Sequence, residues 1–330
     1  MRKLASIQKV LEVKPHSNAD KLDVIRVLGW TLCAAKGDFK PGDPCVYCEV
    51  DSVMPQRPEF EFLRPRNFRI KTIKLRGTIS QGIAFKVDLL PLGDYVEGQD
   101  VTDLLAVTKY EPPLDVCMLS DVKGYMPGFL PKTDETRIQS VPNVLIRWKG
   151  VVFDVTEKLD GQSMTVYHYN NEVGVCGRTM EFKPSVESAM WRCVYRDELD
   201  KRLLAANRNI ALQGEFIGPK VQGNKYNLTE HQFRVYNFFN IDTQEYRPLR
   251  SEEALLQQMG VKSVPYLSTL TLGDQTIEEL VKTATFRSTL NPQQWAEGLV
   301  LRPALVEFRD EELGRLSFKI INPEYLLEEK

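Results

Sequence analysis

Thr156-Glu157-Lys158-Leu159-Asp160-Gly161 is the stretch on which the reading of this chain turns. A lysine amine is protonated at neutral pH and attacks nothing in that state. It becomes a nucleophile when partial burial, a bound cation or a nearby positive charge lowers its pKa. A carboxylate two residues on shares a strand face with the lysine and could hold such a cation. The glycine after it lets a phosphate or a sugar come close to the backbone. Alone, a Lys-x-Asp-Gly sequence reads as a solvated turn, so its meaning depends on what surrounds it.

Four clusters downstream change that meaning. Val175-Cys176-Gly177-Arg178-Thr179 ends a β-rich run with an arginine suited to a phosphate or a hydroxyl. Leu212-Gln213-Gly214-Glu215-Phe216-Ile217-Gly218-Pro219 sets a carboxylate on a strand before a Gly/Pro turn that continues to Gln222 and Asn224. Tyr236-Asn237-Phe238-Phe239-Asn240-Ile241 is an aromatic strand, in which Phe238 and Phe239 face opposite sides. Ala296-Glu297-Gly298-Leu299-Val300-Leu301-Arg302-Pro303 and Leu316-Ser317-Phe318-Lys319 add a second acid and a second lysine. Strands are expected at 151–157, 163–168, 172–177, 210–216 and 233–241, and helices at 185–206, 251–259 and 276–284.

The first hundred residues read differently. Leu22–Leu28 and Cys45–Val50 are β-rich, with turns at Lys40-Pro41-Gly42-Asp43-Pro44 and at Gly77, Gly82 and Gly93. Short strands with little helix point to a small barrel. Arg64, Arg66, Arg69, Lys71, Lys74 and Arg76 follow one another with no acidic residue, and Phe62 and Phe68 lie close by. Cations meet phosphates and exposed rings stack on unpaired bases, so this is the candidate RNA-binding surface; a solvated face is the plainer alternative. Residues 106–140 lose periodicity and collect prolines and glycines, which reads as an irregular connector, with Phe129 and Leu130 packed down.

Pro15-His16-Ser17-Asn18-Ala19-Asp20-Lys21-Leu22 is similar to the start of the tRNA-binding OB modules attached to aminoacyl-tRNA synthetases. Across residues 145–325 the order and spacing of the clusters resemble the covalent nucleotidyltransferases. Within that superfamily, the turn running on to Gln222 and Asn224 resembles ATP-dependent nick-sealing RNA ligases. A module ahead of the catalytic part is similar to the Deinococcus/Naegleria-type branch. The expected fold is α+β: an OB-like β-barrel over 1–105, a connector over 106–140 and a mixed α/β nucleotidyltransferase domain over 141–330.

The resemblance implies a role for each position. Lys158 would attack the α-phosphate of ATP, with Glu157 presenting its backbone to the adenine. Arg178 and Glu215 would hold the ribose, and Phe239 would stack on the base. Asp160 and Glu297 would serve a magnesium or manganese ion, and Lys319, helped by Arg302, would meet charge on the α-phosphate. The partner implied is RNA bearing a 5′-phosphate and a 3′-OH, at nicks in a duplex, with no obligate protein partner. Ile321 departs from the family pattern, which often has a second lysine there; Arg302 or Arg315 would have to take over that charge, or one reaction step is altered. The rivals are a GTP-using capping enzyme or a DNA ligase of the same superfamily, and an RNA-binding protein with a degenerate ligase half.

Composition sets the outer limits. Net charge is −2 over 330 residues, so any nucleic-acid surface must be local. Six cysteines form no dense disulfide framework, and Cys45-x-x-Cys48 reads as two strand cysteines because no second Cys/His pair has zinc spacing. His16, His168 and His231 are too scattered for a metal cluster. Asn227-Leu228-Thr229 matches a glycosylation acceptor but reads as chance. Met1-Arg2-Lys3 leads straight into patterned sequence and no apolar run approaches a membrane span, so a soluble, intracellular (cytoplasmic) protein is expected.

Overall fold

A computed structural model describes residues 3–111 and 122–328. The chain divides into two units, one of Met1–Pro113, Ile138–Val144 and Leu326–Lys330, the other of Leu114–Arg137 and Leu145–Tyr325. Part of the stretch expected to be a connector therefore belongs to each unit. Pro112, Pro113 and Cys117 lie outside the described residues.

The first unit is an OB-fold. Its five-stranded sheet runs Trp30–Ala35, Leu22–Val27, Ala5–Pro15, Pro44–Cys48, Ile83–Lys86, with antiparallel neighbours throughout. The long Ala5–Pro15 strand shifts register between Val10 and Glu12. Its first half pairs with Pro44–Cys48 and its second half with Leu22–Val27. A bulge bends a strand, and this one lets a single strand serve both sides of a curled sheet. Ile7, Val46, Cys48, Phe60 and Leu63 fill one core cluster; Val10, Ile25, Trp30, Leu32 and Tyr47 fill another. Cys45 and Cys48 are buried and free, and burial pushes the Cys45 thiol up to about 12, far from the thiolate a metal requires.

Among the described residues, the second unit holds two large sheets and a two-stranded one, Arg309–Asp310 with Gly314–Arg315. The larger, eight-stranded sheet centres on Gln162–Tyr169, Ile210–Ile217 and Gln232–Asn240, all antiparallel neighbours. Its inner face carries Met164, Val166, Leu212, Phe216 and Phe238 against Trp191, Val194 and Leu203 of two helices. Those helices, Ala189–Arg196 and Leu199–Ala206, replace the single helix expected over 185–206. The break is at Glu198, whose φ of 51° is left-handed and cannot continue an α-helix. Ser188 caps the first helix by accepting from the Trp191 N–H.

The smaller of the two large sheets runs Thr136–Arg137, Phe318–Ile321, Gly298–Pro303, Val152–Lys158, Tyr266–Thr271. Alternation along Val152–Lys158 buries Phe153, Val155 and Glu157 and turns Asp154, Thr156 and Lys158 to the other side. No helix among the described residues is long and apolar enough to cross a membrane.

Candidate functional site

Lys158 is the last residue of its strand and stands in register with Gly298, one residue from Glu297. That placement brings the Lys158 Nζ to 2.7 Å from the Glu297 carboxylate. Gly298 has φ +148°, and a Cβ on it would lie 2.1 Å from the Ile320 carbonyl oxygen. Only glycine allows the Gly298–Pro303 strand to run this close to Phe318–Ile321 while keeping Glu297 at the lysine.

Glu215 and Asp160 also act on the charge of the amine. Burial pulls the Lys158 pKa down, but Glu297, Glu215 and Asp160 together more than offset it, so the lysine is held firmly protonated. Burial, with repulsion from Glu297 and Asp160, pushes Glu215 up to about 8 against the pull of Lys158 and the Gly161 N–H. Glu297 is raised by burial and by Asp160, opposed by Lys158 and Lys319. Burial and mutual repulsion thus oppose ionisation of Glu215 and Glu297, and an added cation would favour their charged forms.

Glu157, beside Lys158, points the opposite way. It is 1% exposed, and its carboxylate accepts from the Ser288 hydroxyl and from the Thr289 N–H and hydroxyl. Its side chain is locked into the body of the unit, and its N–H donates to the Pro265 carbonyl at 2.9 Å. Gly161 has a different task from the one its sequence context suggested. A Cβ there would meet the Phe216 carbonyl oxygen at 2.4 Å and Ile217 Cγ2 at 2.7 Å, so the glycine admits the neighbouring strand rather than a phosphate.

Asp160 lies beyond the strand end, so strand alternation does not carry it to the lysine's side. Three other residues do. Lys225 Nζ is 2.7 Å from Asp160 Oδ2, the Tyr325 hydroxyl donates to the same oxygen at 2.5 Å, and the Asp160 N–H donates to the Tyr226 hydroxyl at 2.6 Å. None of these three was singled out from the sequence, where they are ordinary residues of a loop and a short helix.

Phe239 requires a correction. It is 3% exposed in an apolar cluster with Leu130, Tyr167, Cys176, Ala211 and Ile241, its ring edge-on to Tyr246. A ring so enclosed has no face left for a base. Phe238 and Phe239 do take opposite sides, but the strand pairing shifts register before them: Gln213 opposes Asn237 and Gly214 opposes Val235, leaving Tyr236 as the extra residue. The bulge re-aims Tyr236. Its hydroxyl bonds to Thr133 and Ser163, it feels the charge of Glu215, and Arg302 sits 5.1 Å over its ring. Tyr236 also borders a cavity of about 640 Å³ lined by Thr156, Arg302, Arg315 and Val264 among others.

The remaining cations are distributed as follows. Arg178 is half-exposed and paired with Asp134 at 2.9 Å. Arg302 is nearly enclosed and bonded to Glu135, which also accepts from Ser317. Arg315 is bonded to Glu307 and Asn237. The two arginines considered as replacements for the lysine missing at Ile321 are therefore both engaged elsewhere. Lys319 stands in register with Val300 on one side and with Arg137 on the other, the latter across a parallel pair. Arg137 was passed over in the sequence because its strand is two residues long.

In the OB-fold, the basic stretch is only partly a free face. Phe68 is buried, at 4% exposed, with Arg64 stacked over it and also bonded to Glu61; Phe62 is exposed. Arg69 pairs with Asp51 at 2.6 Å and lies over the Tyr110 ring. Its charge is spent on the fold. Arg64, Arg66, Lys74 and Arg76 are exposed and Lys71 is half-buried.

Two family models match the chain: an OB-fold domain over residues 4–87 and RNA ligase over residues 152–321, the stretch that holds Lys158, Glu215, Glu297 and Lys319. This chain belongs to the RNA ligase family. It is an RNA ligase with an OB-fold ahead of its catalytic part. Among solved structures it is similar to Naegleria gruberi RNA ligase with PPi, at 36% identity over 99% of this chain and 98% of that one, TM-score 0.90. Mutants of the Naegleria enzyme with ATP and Mn, and with AMP and Mn, match at 35% identity over 98% of both chains, again with TM-score 0.90. No curated protein matches the chain.

Proposed function

We propose that in this RNA ligase Lys158 attacks the α-phosphate of ATP to form lysyl-AMP with loss of pyrophosphate, that an RNA 5′-phosphate takes the AMP and frees the lysine, and that a 3′-OH at a nick attacks that adenylylated end and releases AMP. The observation that carries the reading is the Lys158–Glu297 contact of 2.7 Å, with Glu215 and Asp160 also acting on the charge of the amine. Relatives with ATP, AMP, Mn and PPi support the choice of co-substrate and ion.

The donor set suits a hard divalent cation, Mn²⁺ or Mg²⁺. No three His, Cys, Asp or Glu side chains among the described residues close on one point. Asp160 and Glu297 would hold the ion together with phosphate oxygens and waters, the usual arrangement for magnesium. Bound there, the ion would neutralise the carboxylates and polarise the α-phosphate. With that negative charge satisfied, Lys158 loses what keeps it protonated and becomes free to attack.

The chain's other residues divide the remaining work. Glu157 offers backbone to the adenine while its side chain stays locked to Ser288 and Thr289. Tyr236 takes the stacking role expected of Phe239, a contact worth about 1–3 kcal/mol. Glu215 and Arg178 hold the ribose, and Arg178 exchanges Asp134 for the incoming anion. Lys319 meets charge developing on the α-phosphate, with Arg137, in register beside it, supplying the cation absent at Ile321. In-line attack by the 3′-OH favours ends aligned on a bridging strand, hence a nicked duplex. Arg64, Arg66, Lys74 and Arg76 contact the flanking RNA phosphates. An intracellular place of action belongs to the same proposal.

Incubation with α-labelled ATP or GTP plus Mn²⁺ or Mg²⁺, then a denaturing gel and intact mass, tests this. Label from ATP that is absent in Lys158→Ala supports it. Label from GTP instead moves the enzyme to capping chemistry, and no label with well-folded, AMP-free protein rejects nucleotidyl transfer.

A further inference from the structure

Asp160 is the one acid of the site that its own strand does not position. It follows Leu159, which is buried, and lies past the last strand residue. Its orientation must come from elsewhere, and the structure supplies three contacts from two distant segments. Lys225 Nζ reaches Asp160 Oδ2 at 2.7 Å and the Tyr325 hydroxyl reaches the same atom at 2.5 Å. Lys225 Nζ also donates to the Tyr325 hydroxyl at 2.6 Å and sits 4.2 Å from the centre of its ring. The Tyr226 hydroxyl accepts from the Asp160 N–H. Asn291 Nδ2 donates to the Lys225 carbonyl at 2.7 Å and steadies the loop that carries both residues.

Both side-chain donors fall on one carboxylate oxygen. Among the described residues, Oδ1 carries none of these contacts and is left to a ligand of the site. Lys225 is mostly enclosed and Tyr325 is buried, so the arrangement is built in and not a surface pairing. A carboxylate held at one oxygen by two donors keeps the other oxygen in a single direction. Partners of this kind orient the groups that hold a metal, and their loss typically weakens metal binding or activity 10–100-fold.

We propose that Lys225 and Tyr325 form a clamp that positions Asp160 to hold a divalent ion through Oδ1. Both are positioning residues, and the inference rests on the ligase reading of the same site. A different role is imaginable for Lys225 alone, as a resident cation that a metal must displace. The two roles have opposite signs. If Lys225 only occupied the ion's place, removing its charge would tighten metal binding; if it orients Asp160, removing it loosens binding.

The experiment titrates Mn²⁺ by EPR into full-length wild type, Tyr325→Phe, Lys225→Met and Lys225→Arg, each with saturating α,β-methylene-ATP, which cannot transfer AMP. Thermal melts accompany each protein; Tyr325→Phe keeps the buried ring. The expected result is about tenfold or greater weakening in Tyr325→Phe and Lys225→Met, and partial recovery in Lys225→Arg. The Mn²⁺ concentration for half-maximal Lys158 labelling by ATP should rise in parallel, with the rate recovering at saturating Mn²⁺. Affinities within twofold of wild type, tighter binding in Lys225→Met, or a lower labelling rate with unchanged metal dependence each overturn the clamp. Wild type that binds Mn²⁺ but takes no label overturns the ligase chemistry instead, and the titration still decides the clamp.

Discussion

Replacing Glu297 by Gln separates the two roles its carboxylate plays. Glu297 lies 2.7 Å from the Lys158 ammonium, with 17% and 23% of the two side chains exposed. Unit charges at that distance and an effective dielectric near 20 attract by roughly 6 kcal/mol, an upper bound because solvent reaches both groups. Opposite charges in contact usually move a pKa by about 1–3 units. The glutamine keeps the shape and an acceptor oxygen, so the Lys158 pKa in the variant should fall by at least about one unit. The neutral fraction at pH 8 then rises about tenfold or more. Competitive labelling with acetic anhydride, read peptide by peptide by mass spectrometry against exposed lysines, measures that fraction directly. Lys158 should therefore become more reactive towards a neutral acylating agent. Adenylylation by ATP should nevertheless drop about 100-fold or more, since the same carboxylate is proposed to hold the metal. Unchanged acetylation in folded Glu297→Gln would refute the claim that this pair keeps the lysine protonated. Retained adenylylation would refute the metal assignment.

Three further outcomes follow from particular contacts. Tyr236→Ala should raise the KM for ATP about tenfold or more while Phe239→Ala, which empties a packed cluster, should lower Tm by loss of about 3–5 kcal/mol; a large KM effect confined to Phe239→Ala would restore Phe239 as the ring that meets the base. Glu215→Gln should stabilise the protein more at pH 8.5 than at pH 5. The Glu215 folded pKa of about 8 lies above the ordinary carboxylate value, so the unfolded chain releases this proton first and stability falls as pH rises through that window; a Tm gain independent of pH would contradict it. Charge reversal at Arg64, Arg66 and Arg76 should weaken nick binding in a filter or gel-shift assay and leave Lys158 labelling within about twofold, whereas loss of both activities would reject that division of labour.

Much of the site was legible because its chemistry uses residue types whose order survives folding. The Lys158-x-Asp160-Gly161 run, the strand acids Glu215 and Glu297, and Lys319 all fall within the one catalytic unit, and the first three acids with Lys158 form a coupled electrostatic cluster. What failed did so for local reasons. The resemblance assigned Phe239 to the base, and nothing in Tyr236–Ile241 announces the bulge opposite Gln213–Gly214 that sets Tyr236 apart. The basic run looked uniform because Asp51 and Glu61, which claim Arg69 and Arg64, lie outside it. Gly161 looked like a phosphate contact because the strand it admits is more than fifty residues away.

Sequence alone therefore determined the chemistry on offer: the lysine proposed as nucleophile, the acids proposed to hold a cation, and an OB-like module ahead of a catalytic α/β part. Tertiary structure decided which atoms meet. Gly298 set Glu297 against Lys158, the clamp of Lys225 and Tyr325 aimed Asp160, and a two-residue strand laid Arg137 beside Lys319. Such pairings join segments up to 182 residues apart, the separation of Arg137 and Lys319 (319 − 137). Periodicity records which side of one strand a residue takes, but register between strands is fixed by the packing of the whole unit, where a single bulge re-aims a ring.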